Sequence, residues 1–417
     1  MNIEKVFEGK RFHLIAGSLI AILTLIVYSN TFHASFHFDD TQQIVENYKI
    51  RNLSNLPDII DDQRGIAMAA FAINYAIGGL NVVGYHIVNL AIHIVNGILL
   101  YLLIFLTLDR IDSLKDKAKK LAIYTALLFT VHPIQTQAVT YIVQRMEILA
   151  SMFILIGILL FIKGAETEKI YVRVLLYGTV AFSYLLGFYS KEIAITLPAI
   201  IFLYDYCFLS NGDIKKLISR LPLYAVLLTM LAFLATRTLV GLQETPGGPG
   251  GGAGGGASAG FGVESISPKE YLFTQFNVLV YYITLLLVPI NQNLDYDFPI
   301  SKSLFEMPLV KEGTVLNYPI PPAFVSLIIL LAIIGFALYL LTHHASRVTH
   351  YGRLIAFFIL WFFIILSPTS SFIPIIDVIF EHRLYLASVG FFLLFSLAFD
   401  TFFERLGKSR NSEKNAG

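Results

Sequence analysis

The chain has 417 residues, of which 56% are hydrophobic and 14% charged; its net charge is +1 and it holds one cysteine. Soluble domains carry about 25% charged residues, so this composition excludes a cytosolic enzyme, a disordered chain and a disulfide scaffold. The near-zero net charge gives no footprint for a nucleic-acid partner.

A helix that crosses the hydrocarbon core needs about 20 mostly apolar residues. Such stretches fall at 13–31, 87–108, 121–131 continuing irregularly to 143, 147–163, 171–189, 193–209, 221–240, 271–288, 321–342, 353–372 and 384–400. They predict an all-α polytopic membrane protein of roughly 10–12 transmembrane helices. One transmembrane module covers 1–404, and a short basic tail covers 405–417. The first span follows Lys5, Lys10 and Arg11 and has no small-residue cleavage site after it, which reads as a retained anchor.

Cations cluster in alternate loops. They are Arg110, Lys115, Lys117, Lys119 and Lys120, then Lys163, Lys169 and Arg173, then Lys215, Lys216 and Arg220, then Arg347 and Arg353. Lys and Arg in short loops mark the cytoplasmic side. Residues 32–85, 132–145, 190–192, 241–270 and 373–383 are therefore expected outside a cell (inner) membrane. If both loops flanking 271–288 are external, that stretch cannot be a simple span. It lies along the surface, re-enters, or packs inside the protein.

The first long external loop, 32–85, contains an apolar stretch at 66–77 with helical spacing, expected on the membrane surface. Gly247–Gly262 is low-complexity Gly, Pro, Ala and Ser, expected as a flexible external loop.

Ionisable residues near membrane depth are costly and point to function. His37-Phe38-Asp39-Asp40 follows the first span. Two carboxylates there fit a general base and a cation or acceptor ligand, or a solvated helix cap. His86, Asn89, His93 and Asn96 share one helical face. Interhelix hydrogen bonding is the simpler use of His93 and Asn96, whereas His86 lies at the outer rim. Pro133 breaks a helix ahead of Arg145 and Glu147. Arg145 opposes the positive-inside trend and suits a phosphate, or else a pair with Glu147. Lys191 and Glu192 sit in a loop so short that both lie at the outer interface, as phosphate ligand and partner or as an ion pair. Asp295 and Asp297 alternate with aromatics in an acid–aromatic cluster suited to sugar, or in an Asx-turn. Glu381, His382 and Arg383 enter the membrane together before the last span, with headgroup snorkelling as the plain reading.

All six groups fall on one side of the predicted topology. HFDD (37–40), YHIVNLAIHIVN (85–96), VHPIQTQAVTYIVQR (131–145), YSKEIAITLP (189–198), NLDYDF (293–298) and FEHRLYLAS (380–388) occur in that order. As an ordered set they resemble the membrane part of the transmembrane and tetratricopeptide-repeat O-mannosyltransferases and their bacterial relatives, over about 28–400. The resemblance implies the C-type glycosyltransferase fold. It implies inverting transfer of a hexose from a polyprenyl-phosphate donor to a protein or glycan hydroxyl on the extracytoplasmic side. By the same resemblance Asp39 or Asp40 is the base, and Arg145, Lys191 and Arg383 hold the donor phosphate. His86, Glu147, Glu192, Asp295, Asp297, Glu381 and His382 support the substrates. A divalent ion, Mg or Mn, at Asp39 and Asp40 is a further expectation. Tetratricopeptide repeats are not expected within these residues, and Gln137 stands where relatives often have an acid. Two other readings stand beside this one. A lipid-linked-sugar flippase or transporter would build a midplane site between repeated halves. A non-catalytic membrane assembly subunit would bind the lipid without turnover.

Overall fold

The computed structural model describes the backbone of 3–244, 259–310, 320–342 and 349–416, with side chains described from 11 to 237, 259 to 310, 320 to 342 and 350 to 406. Most of the Gly-rich stretch, and Arg347, lie outside the described residues. The protein is an all-α polytopic membrane protein, with no named strand among the described residues. Among the described residues six helices are long and apolar enough to cross a membrane, or seven if the bent pair Glu381–Ala387 and Val389–Leu406 forms one span. Four shorter apolar helices accompany them.

The principal helices are α1 (Ile3–Val27), α2 (Gly65–Gly78), α3 (Val82–Leu108), α4 (Ala118–Val131), α5 (Arg145–Glu166) and α6 (Ile170–Phe188). They continue with α7 (Leu197–Tyr204), α8 (Leu221–Glu244), α9 (Pro268–Leu287), α10 (Ala323–Thr342), α11 (Thr349–Leu366) and α12 (Val389–Ala416). The stretch expected as a separate tail, 405–417, is helical to Ala416 and continuous with α12.

Apolar residues of α6 and α10 such as Val174, Leu175, Phe182, Ile328 and Leu331 are exposed, as lipid-facing helices require. Inside, Phe129, Phe161, Trp361 and Phe392 pack in one large core shared by most of the helices. A smaller core joins Ala67, Phe71 and Ala72 of α2 to Ile142, Val143 and Leu149. Ile73 and Ile77 of α2 stay exposed, so the surface helix expected at 66–77 has one buried and one open face.

Side-chain pairings define two ends. At one, Lys117 and Lys120 meet Asp400, Arg110 meets Glu166, and Arg220 meets Asp205. At the other lie Asp39, the start of α3, the break before α5, and the 381–383 turn. Both flanks of α9 are tied to one loop at the Asp39 end: Gly260 N–H donates to Pro374 O (2.8 Å) and Asn293 N–H to Glu381 Oε1 (2.8 Å). Its polar side chains follow suit, with Tyr271 on Thr369 O (2.6 Å) and Gln275 on Val378 O (2.8 Å). α9 is long enough to cross, and the segment 369–380 runs beside it, accepting at its carbonyls from Tyr271, Gln275 and Tyr282.

Candidate active site

The site grows from a backbone defect. At the end of α4, Pro133 cannot donate an N–H, and the chain proceeds through short turns at Pro133–Gln135 and Ile142–Gln144 around a five-residue helix, Thr136–Thr140. Irregular backbone among apolar helices needs its carbonyls covered. The polar stripe of α3 covers them. Asn89 Nδ2 donates to Val139 O (3.3 Å) and Ile142 O (3.2 Å), and Asn96 Nδ2 to Ile148 O (2.8 Å). His93 Nε2 donates to Thr130 O (3.1 Å), which leaves Nδ1 to accept from the Tyr385 hydroxyl (2.7 Å). His86 Nε2 ties the stripe to Ala34 O in the first loop (2.9 Å). The stripe is thus interhelix glue, as expected for His93 and Asn96.

Arg145 belongs to the same scaffold. It is fully buried and donates to Asn89 Oδ1 (2.8 Å), Ala70 O (3.1 Å) and Tyr85 O (3.0 Å) between the rings of Phe71 and Tyr85. The phosphate role expected of Arg145 is corrected here: its guanidinium faces protein carbonyls and has no surface left for a ligand.

The two acids divide their labour. Phe38 takes a positive φ of 46°, which bends the loop sharply ahead of them. Asp40 is buried; its Oδ2 accepts from His37 N–H (3.1 Å) and its Oδ1 from Val143 N–H (2.7 Å). It clamps the loop onto the irregular segment. Burial pushes its pKa up to about 6 against the pull of those two N–H groups. Asp39 is exposed, and its N–H donates to the Tyr141 hydroxyl (2.9 Å). Of the two acids Asp39 is therefore the more open, with the Tyr141 hydroxyl beside its carboxylate. A divalent ion shared by the pair does not fit this donor set, because both Asp40 oxygens already accept backbone N–H groups. Among the described residues no three His, Cys, Asp or Glu side chains converge as metal ligands.

The cations come next. Lys191 Nζ pairs with Glu147 Oε2 (2.9 Å) and donates to Gln144 Oε1 (3.0 Å), with 13% of its side chain exposed. Arg64 grips Glu192 bidentately, Nε to Oε1 and Nη2 to Oε2, both at 3.0 Å. Arg64 was not singled out in the sequence, yet it is the more open cation, 42% exposed. Its φ of +57° turns it inward, and the neighbouring Gly65 lets the chain lie against the carbonyls of Ile59 and Ile60, where a Cβ would clash. The available signal was its place: a lone Arg between Asp61-Asp62 and the apolar stretch of α2.

The remaining groups close the wall. Glu381 is buried and saturated by Asn293 N–H (2.8 Å), Gln292 Nε2 (2.6 Å) and the Tyr296 hydroxyl. It anchors the 293–298 loop. In that loop Tyr296 and Phe298 are buried against Tyr281 (5.9 and 5.7 Å), so they offer no aromatic face to a sugar. Asn293 caps Asp295 N–H (3.4 Å), which is the Asx-turn alternative, while Asp295 and Asp297 are exposed. His382 N–H and Nδ1 engage Gln137 Oε1 (2.6 and 3.1 Å), and Gln137 Nε2 reaches Leu294 O (2.9 Å). Gln137 thus bridges two loops. Arg383 donates to the carbonyls of Asp377 (2.8 Å) and Val378 (3.1 Å).

These parts share one neighbourhood. Asp39 lies within electrostatic reach of Arg64 and of Asp377, and His382 within reach of Lys191, Arg64 and Arg383. Asp377, a second residue not singled out, is exposed beside Asp39 and Asp295. Its carboxyl is raised by burial of the loop and by those two acids, against Arg383. Acids and cations that act on one another in this way could meet an anionic substrate and a nucleophilic hydroxyl together.

Comparison with known proteins finds similar sequences. Mouse protein O-mannosyl-transferase TMTC3 is 27% identical over 226 residues, 50% of this chain and 23% of the relative. Human protein O-mannosyl-transferase TMTC2 is 30% identical over 224 residues, 49% of this chain and 26% of the relative. The chain is similar to these two proteins over about half of its own length. A Caenorhabditis elegans protein O-mannosyl-transferase, F38B6.6, extends the likeness beyond mammals at 27% identity over 190 residues, 42% of this chain and 27% of the relative. The matched stretch spans about a quarter of the length of these TMTC relatives. No protein-family profile matches the chain, and no solved structure does.

Proposed function

We propose that the protein is an integral-membrane glycosyltransferase that moves a hexose, of the mannose class, from a polyprenyl-phosphate donor to a hydroxyl of a protein acceptor on the extracytoplasmic side. The observation that supports this reading is the exposed carboxylate of Asp39, next to the Asp40 clamp and within electrostatic reach of Arg64, in a cluster where Lys191, Arg64 and Arg383 all act on His382. Asp39 takes the proton of the acceptor hydroxyl. The acceptor oxygen attacks the anomeric carbon from the face opposite the phosphate, and the carbon–oxygen bond to phosphate breaks, which inverts the sugar. The bonding electrons leave with the polyprenyl phosphate. Preorganised cations stabilise that growing charge, each typically worth about 10²–10³ in rate. Arg64 and Lys191 fit this task, since each is paired with a single carboxylate, whereas Arg383 is committed to the carbonyls of Asp377 and Val378. No step is routed through a metal ion.

The test is transfer of labelled sugar from a synthetic polyprenyl-phosphate hexose to a Ser/Thr-rich peptide by the purified protein. Asp39→Asn should lower turnover by about 10²–10⁴. Near-full turnover in that variant would exclude the mechanism, and lipid transport without a new glycosidic bond would favour a transporter.

A further inference from the structure

The end of the bundle opposite Asp39 holds a second polar cluster that glycosyl transfer does not use. The span Glu192–Leu209 finishes in a π-helical turn, Asp205–Leu209, and the chain then reverses through Asn211 (φ +52°) and Gly212 (φ +80°). Asp205 is fully buried and fully satisfied. Its Oδ1 accepts from Ser210 Oγ (2.6 Å) and Arg220 Nη1 (2.7 Å), and its Oδ2 from the Tyr224 hydroxyl.

Arg353, in the first turns of α11, enters the same reversal and is only 7% exposed. Its Nη1 meets the neutral Asn211 Oδ1 at 3.4 Å, and its buried Nε has no hydrogen-bond partner. Among the described residues no carboxylate lies within ion-pair distance of it. A methyl group at Gly212 would sit 3.4 Å from Arg353 Nη2 and 3.9 Å from the Tyr206 hydroxyl, so guanidinium and phenol converge over that glycine.

A guanidinium this buried and lacking a counter-ion is unfavourable unless an anion joins it. Its planar fork matches the oxygens of a phosphate. The surroundings indicate where the phosphate comes from. The adjoining helix Ile214–Ser219 exposes Ile214 and Ile218 beside Lys215 and Lys216, the pattern of a helix lying at a membrane interface. Basic recesses between spanning helices at that level receive anionic headgroups.

We propose that Arg353, with the Tyr206 hydroxyl and the open face of Gly212, binds the headgroup phosphate of an anionic phospholipid in the leaflet at the Lys120 end. The site shares no residue with the cluster at Asp39, so it stands or falls independently of the glycosyltransferase reading.

The full chain, purified in detergent and stripped of lipid, is titrated with phosphatidylglycerol, with phosphatidylcholine of the same acyl chains, and with inorganic phosphate. Thermal shift and native mass spectrometry provide the readouts. Phosphatidylglycerol should raise the melting temperature and remain as an adduct on the wild type. Arg353→Gln should weaken its binding by at least about tenfold. Lys119→Gln, which removes an exposed cation at the same end, should bind as the wild type does. Wild-type affinity in Arg353→Gln would overturn the proposal. So would equal stabilisation by phosphatidylcholine, the full shift from inorganic phosphate alone, or an equal loss in Lys119→Gln. If Arg353→Gln fails to fold, Arg353→Lys decides, because it keeps the charge but not the fork: several-fold weaker binding supports the site, and unchanged binding overturns it.

Discussion

The two ends of the bundle use the same ion pairs to different effect. At one end Asp400 is shared by Lys117 (2.9 Å) and Lys120, whose side chains are 32% and 51% exposed. Water reaches those ammonium groups, and such pairs typically contribute about 0–1 kcal/mol. At the other end Lys191 meets Glu147, of which 1% is exposed, and Arg64 meets Glu192 within the same cluster. Charges withdrawn from water depend on their partners, so the ammonium groups around Asp400 form a solvated rim, whereas Lys191 and Glu147 hold one another in place.

Removing one charge at each end is the sharpest way to break this contrast. Lys191→Met leaves Glu147 buried without its counter-ion, and its Oε1 already lacks a partner. Loss of about 3–5 kcal/mol of stability is expected, measured by thermal or denaturant unfolding in detergent. A smaller loss is expected from Asp40→Asn. A neutral amide oxygen can replace only part of the double acceptor at His37 N–H and Val143 N–H, at a cost of about 1–3 kcal/mol. This variant also carries a pH signature. The folded-state pKa of Asp40 lies near 6, above its ordinary value, so its stabilising contribution is complete below about pH 4 and is lost as pH rises through 6. The stability gap between wild type and Asp40→Asn should therefore widen from pH 8 to pH 5; a gap independent of pH would contradict the burial assigned to Asp40. The smallest effect belongs to Lys120→Gln, below about 1 kcal/mol, because Lys117 still holds Asp400. A larger loss there would erase the difference between the two ends.

The helical membrane architecture was legible because apolar runs of sufficient length leave few alternatives. The ordered motifs also pointed to the parts that meet. Their roles were less legible, because a side chain's direction in irregular backbone is fixed by which carbonyls need covering. Arg145 and Arg64 show this. The first sits beside an apparent acid partner, Glu147, yet donates to Asn89 and to the carbonyls of Ala70 and Tyr85; the second lies in a loop with no motif and takes the open position. Likewise Glu381 and Tyr296 read as chemistry and serve as each other's hydrogen-bond partners. The division between Asp39 and Asp40 depends on a left-handed turn at Phe38, which nothing in a Phe residue announces.

The most direct test places the two adjacent acids side by side: sugar transfer and melting temperature are measured for Asp39→Asn and Asp40→Asn under the same conditions. Asp39→Asn should keep the wild-type melting temperature and lose turnover, whereas Asp40→Asn should melt earlier and retain measurable transfer while folded. A stable but inactive Asp40→Asn alongside an active Asp39→Asn would reverse the assignment and contradict the account.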